Sequence, residues 1–165
     1  MRWTQLKKTL EDRFSEPLRG RIRLGSTRYR VGPTCADRGW IEVDGKEVAT
    51  FNSAAAWSKH GAVYHESTAT ECLTHPALAP EERTEGRLVE PGEFSRLDFH
   101  EACWAALKLP VQEALESSNP LVLTLALLDG RVGQRRLARM EPERLHPLPR
   151  YAWELRRSPP RRAEP

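Results

Sequence analysis

Five arginines crowd one short stretch near the start of this chain. Arg19, Arg21, Arg23, Arg28 and Arg30 fall within residues 19–30. A guanidinium offers a planar fork of donors that matches phosphate oxygens and carboxylates. Arg21, Arg23, Arg28 and Arg30 are therefore the leading candidates for recognising an anion, and Arg135 and Arg136 form a second basic zone. Sheet faces that bind single-stranded RNA add stacked aromatic rings. Here Tyr29 is expected on the apolar side, so that half of the pattern is missing. The competing reading is a solvated strand balanced by Glu42, Glu47 and an acidic middle segment.

Other constellations carry less. Asp44-Gly45-Lys46 has the short Asp-x-Lys spacing of metal-dependent nucleases, with Glu42 and Glu47 close in sequence. An Asp-Gly pair between alternating runs is above all a hairpin turn, whose carboxylates are solvated. His60, His65, Cys72 and His75 invite a zinc reading, but only the Cys72–His75 spacing fits and no second Cys-x-x-Cys pair supports it. His100 and Cys103 stand three apart on one expected helix without an evident orienting group. The sequence holds no phosphate loop, dinucleotide fingerprint or nucleophile elbow. No catalytic residue, metal ligand or cofactor is assigned.

The strand that must carry the arginines reads Arg-Gly-Arg-Ile-Arg-Leu-Gly-Ser-Thr-Arg-Tyr-Arg-Val over residues 19–31. Charged and apolar residues alternate, with one slip at Gly25-Ser26. A one-residue bulge at Gly25 reconciles the halves and predicts all the arginines on one face. Trp40–Val43 and Lys46–Phe51 flank Asp44-Gly45 as a hairpin, with Ile41 facing Val48 and Glu42 facing Glu47. Like charges opposite each other need a cation, which the arginine strand is expected to supply.

Helices surround this sheet. Trp3, Leu6, Leu10 and Phe14 recur at helical spacing, and Pro17 and Gly20 end that helix. Ser53 caps an expected helix through Trp57 and Tyr64, and another short one falls between Pro80 and Pro91. Ser95 with Asp98 opens a helix carrying Leu97, Cys103, Trp104 and Leu107. Pro110 starts a short helix through Leu115. Asn119-Pro120 caps a nearly all-apolar helix from Leu121 to Leu128, expected at the centre of the core. The expected core is Trp3, Leu6, Leu10, Phe14, Ile22, Leu24, Trp104, Leu107, Val122, Leu125 and Leu128, with Ile41 and Val48. The order helix, three strands, helices predicts an α+β fold: a three-stranded antiparallel sheet between an N-terminal helix and a C-terminal helical layer.

The 165 residues suit one domain. It is expected over residues 1–150, followed by a basic, proline-rich tail over 151–165 that is disordered at its end. Charged residues reach 30% and hydrophobic ones 39%, which implies a modest core under a strongly charged surface. The net charge of +3 conceals an asymmetry: residues 1–51 carry +4, residues 52–101 carry −5 and residues 131–165 carry +6. No apolar run spans a membrane and no signal peptide is evident. Three scattered cysteines, Cys35, Cys72 and Cys103, point to a reducing cytoplasm rather than a disulfide framework.

Met1-Arg2-Trp3 with Leu6-Lys7-Lys8, the strand Ser26-Thr27-Arg28-Tyr29-Arg30, and Gly39-Trp40-Ile41 through Asp44-Gly45-Lys46-Glu47 together resemble an uncharacterised family of small bacterial proteins. Leu125–Asp129 followed by Arg131, Gly133 and Arg135-Arg136-Leu137 adds to the resemblance. It covers the first third and residues 119–137, but not 66–93. It implies a bacterial, cytoplasmic protein and no particular activity. The functional expectation is a non-enzymatic binding or regulatory module for an anionic partner, either nucleic acid or an acidic protein surface. The alternatives are a metal-dependent phosphodiester hydrolase and an interaction module for the product of a neighbouring gene.

Overall fold

In the computed structural model the described residues are 2–31, 34–60, 83–84 and 87–158. The side chains of 29–31, 34–36, 57 and 60 are outside that description. The fold is α+β, in the expected order: helix α1 (Trp3–Arg13), strands β1 (Ile22–Val31), β2 (Thr34–Val43) and β3 (Lys46–Asn52), then helices. These are α2 (Ser53–His60), α3 (Arg96–Lys108), α4 (Val111–Leu115), α5 (Pro120–Leu128), α6 (Gln134–Leu137) and α7 (Pro147–Arg157). The sheet is antiparallel in the order β1-β2-β3. No helix among the described residues is long and apolar enough to cross a membrane.

One face of the sheet is covered by helices. Ile22, Leu24, Ile41, Val43, Ala49 and Phe51 are buried on it, under α1, α3, α5 and α7. α5 lies at the centre, as its composition demands. Asn119 Oδ1 accepts from the N–H groups of Leu121 and Val122 at 2.9 and 3.3 Å, Pro120 starts the helix, and every residue to Leu128 is buried. Burying each large apolar side chain contributes about 1.5–3 kcal/mol, so this helix alone anchors the core. α3 opens with the capping box expected from Ser95 and Asp98. The Asp98 N–H donates to Ser95 Oγ at 3.1 Å, and Asp98 Oδ2 accepts from the Ser95 N–H at 2.7 Å.

Most of the expected core is buried; Trp3, Val48, Trp104 and Leu107 instead pack half-buried around its margin. Phe51, Phe94 and Phe99 complete the centre, with Phe51 and Phe99 stacked at 4.6 Å.

Three expectations need correction. Pairing between β1 and β2 runs without interruption from Ile22↔Val43 to Val31↔Thr34, so Gly25 carries no bulge. Gly25 is there because the Trp40 indole lies across it, and a Cβ at that position would enter the ring. The bulge sits one strand over, between Ile41 and Glu42 on the β2–β3 ladder, and pairs Ile41 with Ala49 rather than Val48. Helix α7 crosses the expected boundary at residue 150. α7 continues to Arg157, packs along α5 and buries Leu148, Pro149, Ala152 and Arg156. The helix expected from Ser53 is present as α2 over Ser53–His60, and its continuation to Tyr64 lies outside the described residues, as do residues 159–165. The helix expected between Pro80 and Pro91 is not formed at residues 83–84 and 87–90, the part of that stretch within the described residues, which run as bends and irregular chain.

Candidate functional site

The unbroken register decides where the strand arginines go. Successive side chains of a strand alternate between faces, so Arg23 and Arg28 stand on opposite sides of the sheet. Arg23 is exposed on the open face, opposite Glu42. Arg28 is paired with Asp37 on the helix-covered side, where the Asp37 carboxylate accepts from Arg96 Nε of α3 at 3.0 Å, and Arg28 has an interaction partner of its own. Arg21 precedes the strand and forms a bidentate pair with Asp44, both contacts 2.9 Å. Its pKa is raised, first by that hydrogen bond and against a smaller cost of burial. Arg19 donates to the Phe14 carbonyl. The side chain of Arg30 is outside the described residues. The strand therefore does not present a single face of arginines.

The same pair removes the nuclease geometry. Asp44 and Gly45 both have positive φ, 52° and 77°, the signature of a two-residue type I′ turn. Asp44 is at the tip, with both oxygens turned back to Arg21. Glu42 does face Glu47, and the cation that relieves the repulsion is Arg38 of β2. Its Nη1 donates to Glu47 Oε1 and Oε2 at 2.8 and 2.9 Å, while its guanidinium lies 4.6 Å above the Trp40 ring. With Gly25 below it and Arg38 above it, Trp40 offers no free face to a nucleobase. Among the described residues no cluster of three or more His, Cys, Asp or Glu side chains could hold a metal. His65, Cys72 and His75 lie outside the described residues, as does the His60 side chain.

Two polar clusters escaped the sequence. Ser26 Oγ and His100 Nε2 share a 2.8 Å hydrogen bond beneath the sheet. Burial, with Arg96 nearby, lowers the His100 pKa to about 4. A Ser–His pair suggests an activated nucleophile only if a third group orients the imidazole. Asp37, the adjacent carboxylate, is held by Arg96 instead, and the Arg96 guanidinium lies about equally near both ring nitrogens, 3.4 and 3.3 Å away. The cluster ties α1, α3 and β1 together and assembles no catalytic triad. Cys103, considered as a partner for His100, is fully buried in the core, and burial pushes its thiol pKa up.

The second cluster lies under the 87–94 segment. Glu93, fully buried, accepts from Arg83 Nη1, from His146 Nε2 at 2.8 Å and from the Glu90 N–H at 2.9 Å. Burial pushes its carboxyl pKa up, but those three hydrogen bonds outweigh it and hold the value below the usual carboxylate range. His146 Nδ1 accepts from the Leu148 N–H at 3.1 Å and caps α7. That assigns the ring proton to Nε2, facing Glu93. Residues 83, 93 and 146 are far apart in sequence, and no local pattern joins them.

The basic zone after α5 is divided by function. Arg131 grips Asp129 through Nε and Nη2 at 3.0 and 2.7 Å. Arg156 is buried, and its Nη1 donates to the carbonyls of Leu127 and Asp129 at 2.7 and 2.6 Å, with a further bond from Nη2 to the Val132 carbonyl. Arg150 donates to the carbonyls of Pro142, Glu143 and Leu145. These are structural arginines that satisfy chain ends. Arg135, Arg136 and Arg139 are different: all three are exposed, and none makes a side-chain hydrogen bond or ion pair among the described residues. The short helix that carries two of them is seated on α7. Gln134 Nε2 donates to the Arg156 carbonyl at 3.0 Å and Trp153 Nε1 to the Leu137 carbonyl at 2.8 Å. Arg157 lies over Trp153 at 5.5 Å.

No curated protein and no solved structure is significantly similar to the chain. Residues 2–157 match one family whose members have no characterised activity. That match covers α1 through α7, including the middle segment where the local motifs give no resemblance, and on that basis the chain belongs to the SF0329 protein family.

Proposed function

We propose that the protein is a non-enzymatic binding module for an anionic partner, with Arg135, Arg136 and Arg139 as the contact surface. The observation that carries this reading is that these three guanidinium groups are exposed and have no carboxylate partner among the described residues, whereas Arg21, Arg131, Arg150 and Arg156 are committed within the fold. The helix of Arg135 and Arg136 is held against Trp153 and the Arg156 carbonyl, so those two groups are presented from an anchored base, with Arg139 just beyond its end. Arg157 extends the same basic surface. The phosphodiester backbone of nucleic acid is the first partner, because several forked donors in a row suit its regularly spaced charges. Of the strand arginines, Arg23 remains as a secondary contact on the open sheet face.

The test is an electrophoretic shift of single-stranded RNA and duplex DNA at about 50 mM salt, where backbone-driven binding is strong. The wild type is expected to shift both, and the triple variant Arg135→Ala, Arg136→Ala, Arg139→Ala to lose at least tenfold in affinity. No shift by the wild type, or equal affinity of the two proteins, contradicts the reading. Binding to polyglutamate without binding to either nucleic acid would reassign the partner to an acidic protein.

A further inference from the structure

β3 is an end strand of the sheet, and its pairing is one-sided. β2 takes one edge over Lys46–Asn52. The other edge has no backbone hydrogen bond to any described residue. Unpaired strand edges are templates for further pairing, and folds usually blunt them with charges, proline or a covering element. From Val48 to Asn52 this edge carries no charged residue and no proline. Beside it runs an open groove of about 390 Å³. Ala55 contributes to its lining, and its far wall is Arg87, Val89, Pro91 and Gly92.

The charge of the groove is legible. The Glu47 carboxylate at its rim is neutralised by Arg38, and it also accepts from the Thr50 hydroxyl. Arg87 on the opposite wall is exposed and has no side-chain partner among the described residues. The remaining lining is largely apolar, through Val48, Ala49, Val89 and Pro91. A cleft with a strand edge that no described residue pairs, apolar side chains along it and a cation without a partner among the described residues fits an extended peptide bearing a carboxylate. A second copy of this chain fits less well. Its own β3 edge is flanked by its own 87–92 wall, and the two walls would compete for the same space.

We propose that the β3 groove is a docking site for an extended acidic peptide, which adds to the sheet as a fourth strand and places a carboxylate on Arg87. This site is built from different elements than the arginine surface on α6 and α7, and it stands or falls independently of it.

The probe is a displayed library of random eight-residue peptides panned against the intact protein, with the enriched sequences synthesised and titrated by fluorescence anisotropy. Enriched peptides are expected to alternate apolar residues around an Asp or Glu. Arg87→Glu should weaken them at least tenfold, and replacing the peptide acid by Lys should restore binding to that variant. Hydrogen exchange should slow on binding for amides within Lys46–Asn52. The proposal is overturned if no sequence is enriched over an unrelated control protein, or if affinity ignores Arg87→Glu. Protection of the β3 edge in the free, dilute protein would also overturn it, because the chain itself would then cover the edge. Protection that grows with concentration alongside a dimer mass would instead assign the edge to a second copy.

Discussion

His100 lies flat against Trp3, with ring centroids 4.3 Å apart and planes 5° from parallel. The stack fastens the start of α1 to the first turns of α3. Burial and the neighbouring Arg96 guanidinium bring the His100 pKa down to about 4. Two residues earlier on the same helix, burial raises the Asp98 carboxyl to about 7, against the opposing hydrogen bond from Ser95. Neighbouring groups on one helix are thus both held in their neutral forms, by the same cause acting on opposite charges.

Their effects on stability oppose each other. His100 is depressed in the fold, so its contribution is present above about 6.5 and is lost as pH falls toward 4. Asp98 is raised, so its contribution is present below about 3.8 and is lost as pH rises through about 7. Between pH 4.5 and 6.5 the two largely cancel. Urea unfolding should show that Asp98→Asn, which keeps the capping acceptor, gains roughly 1–2 kcal/mol across that window as pH rises, at 1.36 kcal/mol per unit discounted for residual solvent. His100→Gln should lose stability over the same rise. Parallel pH profiles for the two variants would contradict the assignment.

Much of this was readable from local pattern. The helical spacing of Leu6, Leu10 and Phe14, the Asn119-Pro120 cap, the Ser95–Asp98 box and the Asp44-Gly45 turn each depend on residues within one or two turns, and each is present. What failed was long-range. Whether Gly25 bulges or stays paired is set by Trp40 on the next strand, and a slip in alternation looks the same in both cases. Which arginines stay free depends on where Asp44, Asp37 and the carbonyls after α5 end up, and spacing along the chain does not encode this. The Arg83–Glu93–His146 cluster joins three separate segments and left no trace in any of them.

Gly25 and Trp40 should behave as a coupled pair. Gly25→Ala alone drives a methyl into the indole and should cost about 1–3 kcal/mol by overpacking. In a Trp40→Ala background most of that cost should disappear. A double-mutant cycle by chemical denaturation measures it, and additive effects would show that the ring is not what excludes a side chain there.

Arg156 stabilises the end of α5 rather than a ligand. Arg156→Met leaves the carbonyls of Leu127 and Val132 without that donor and the Asp129 carbonyl with only the Val132 N–H, and should cost about 2–3 kcal/mol or more. Arg156→Lys, a point charge with no fork, should recover only part of it. A thermal unfolding midpoint within a degree of wild type for the Met variant would contradict this role.

Glu93 should be the least replaceable carboxylate. Glu93→Gln leaves the buried Arg83 guanidinium without its counter-charge, a loss of about 3–5 kcal/mol. Replacing both residues, as Arg83→Met with Glu93→Gln, should be less damaging than the sum of the single changes. Urea unfolding of the four proteins decides it, and a sum that simply adds would remove the pairing.

The central claim is that three uncommitted arginines after α5 meet phosphate. Its most direct measurement is the dependence of nucleic-acid affinity on salt, read as the slope of log Kobs against log salt concentration. Each phosphate neutralised contributes roughly 0.7–0.9 to that slope. The account predicts that removing Arg135, Arg136 and Arg139 together flattens it by about 2 or more, since each lost contact subtracts one such increment. An identical slope for the wild type and the triple variant would place the binding elsewhere and contradict the account.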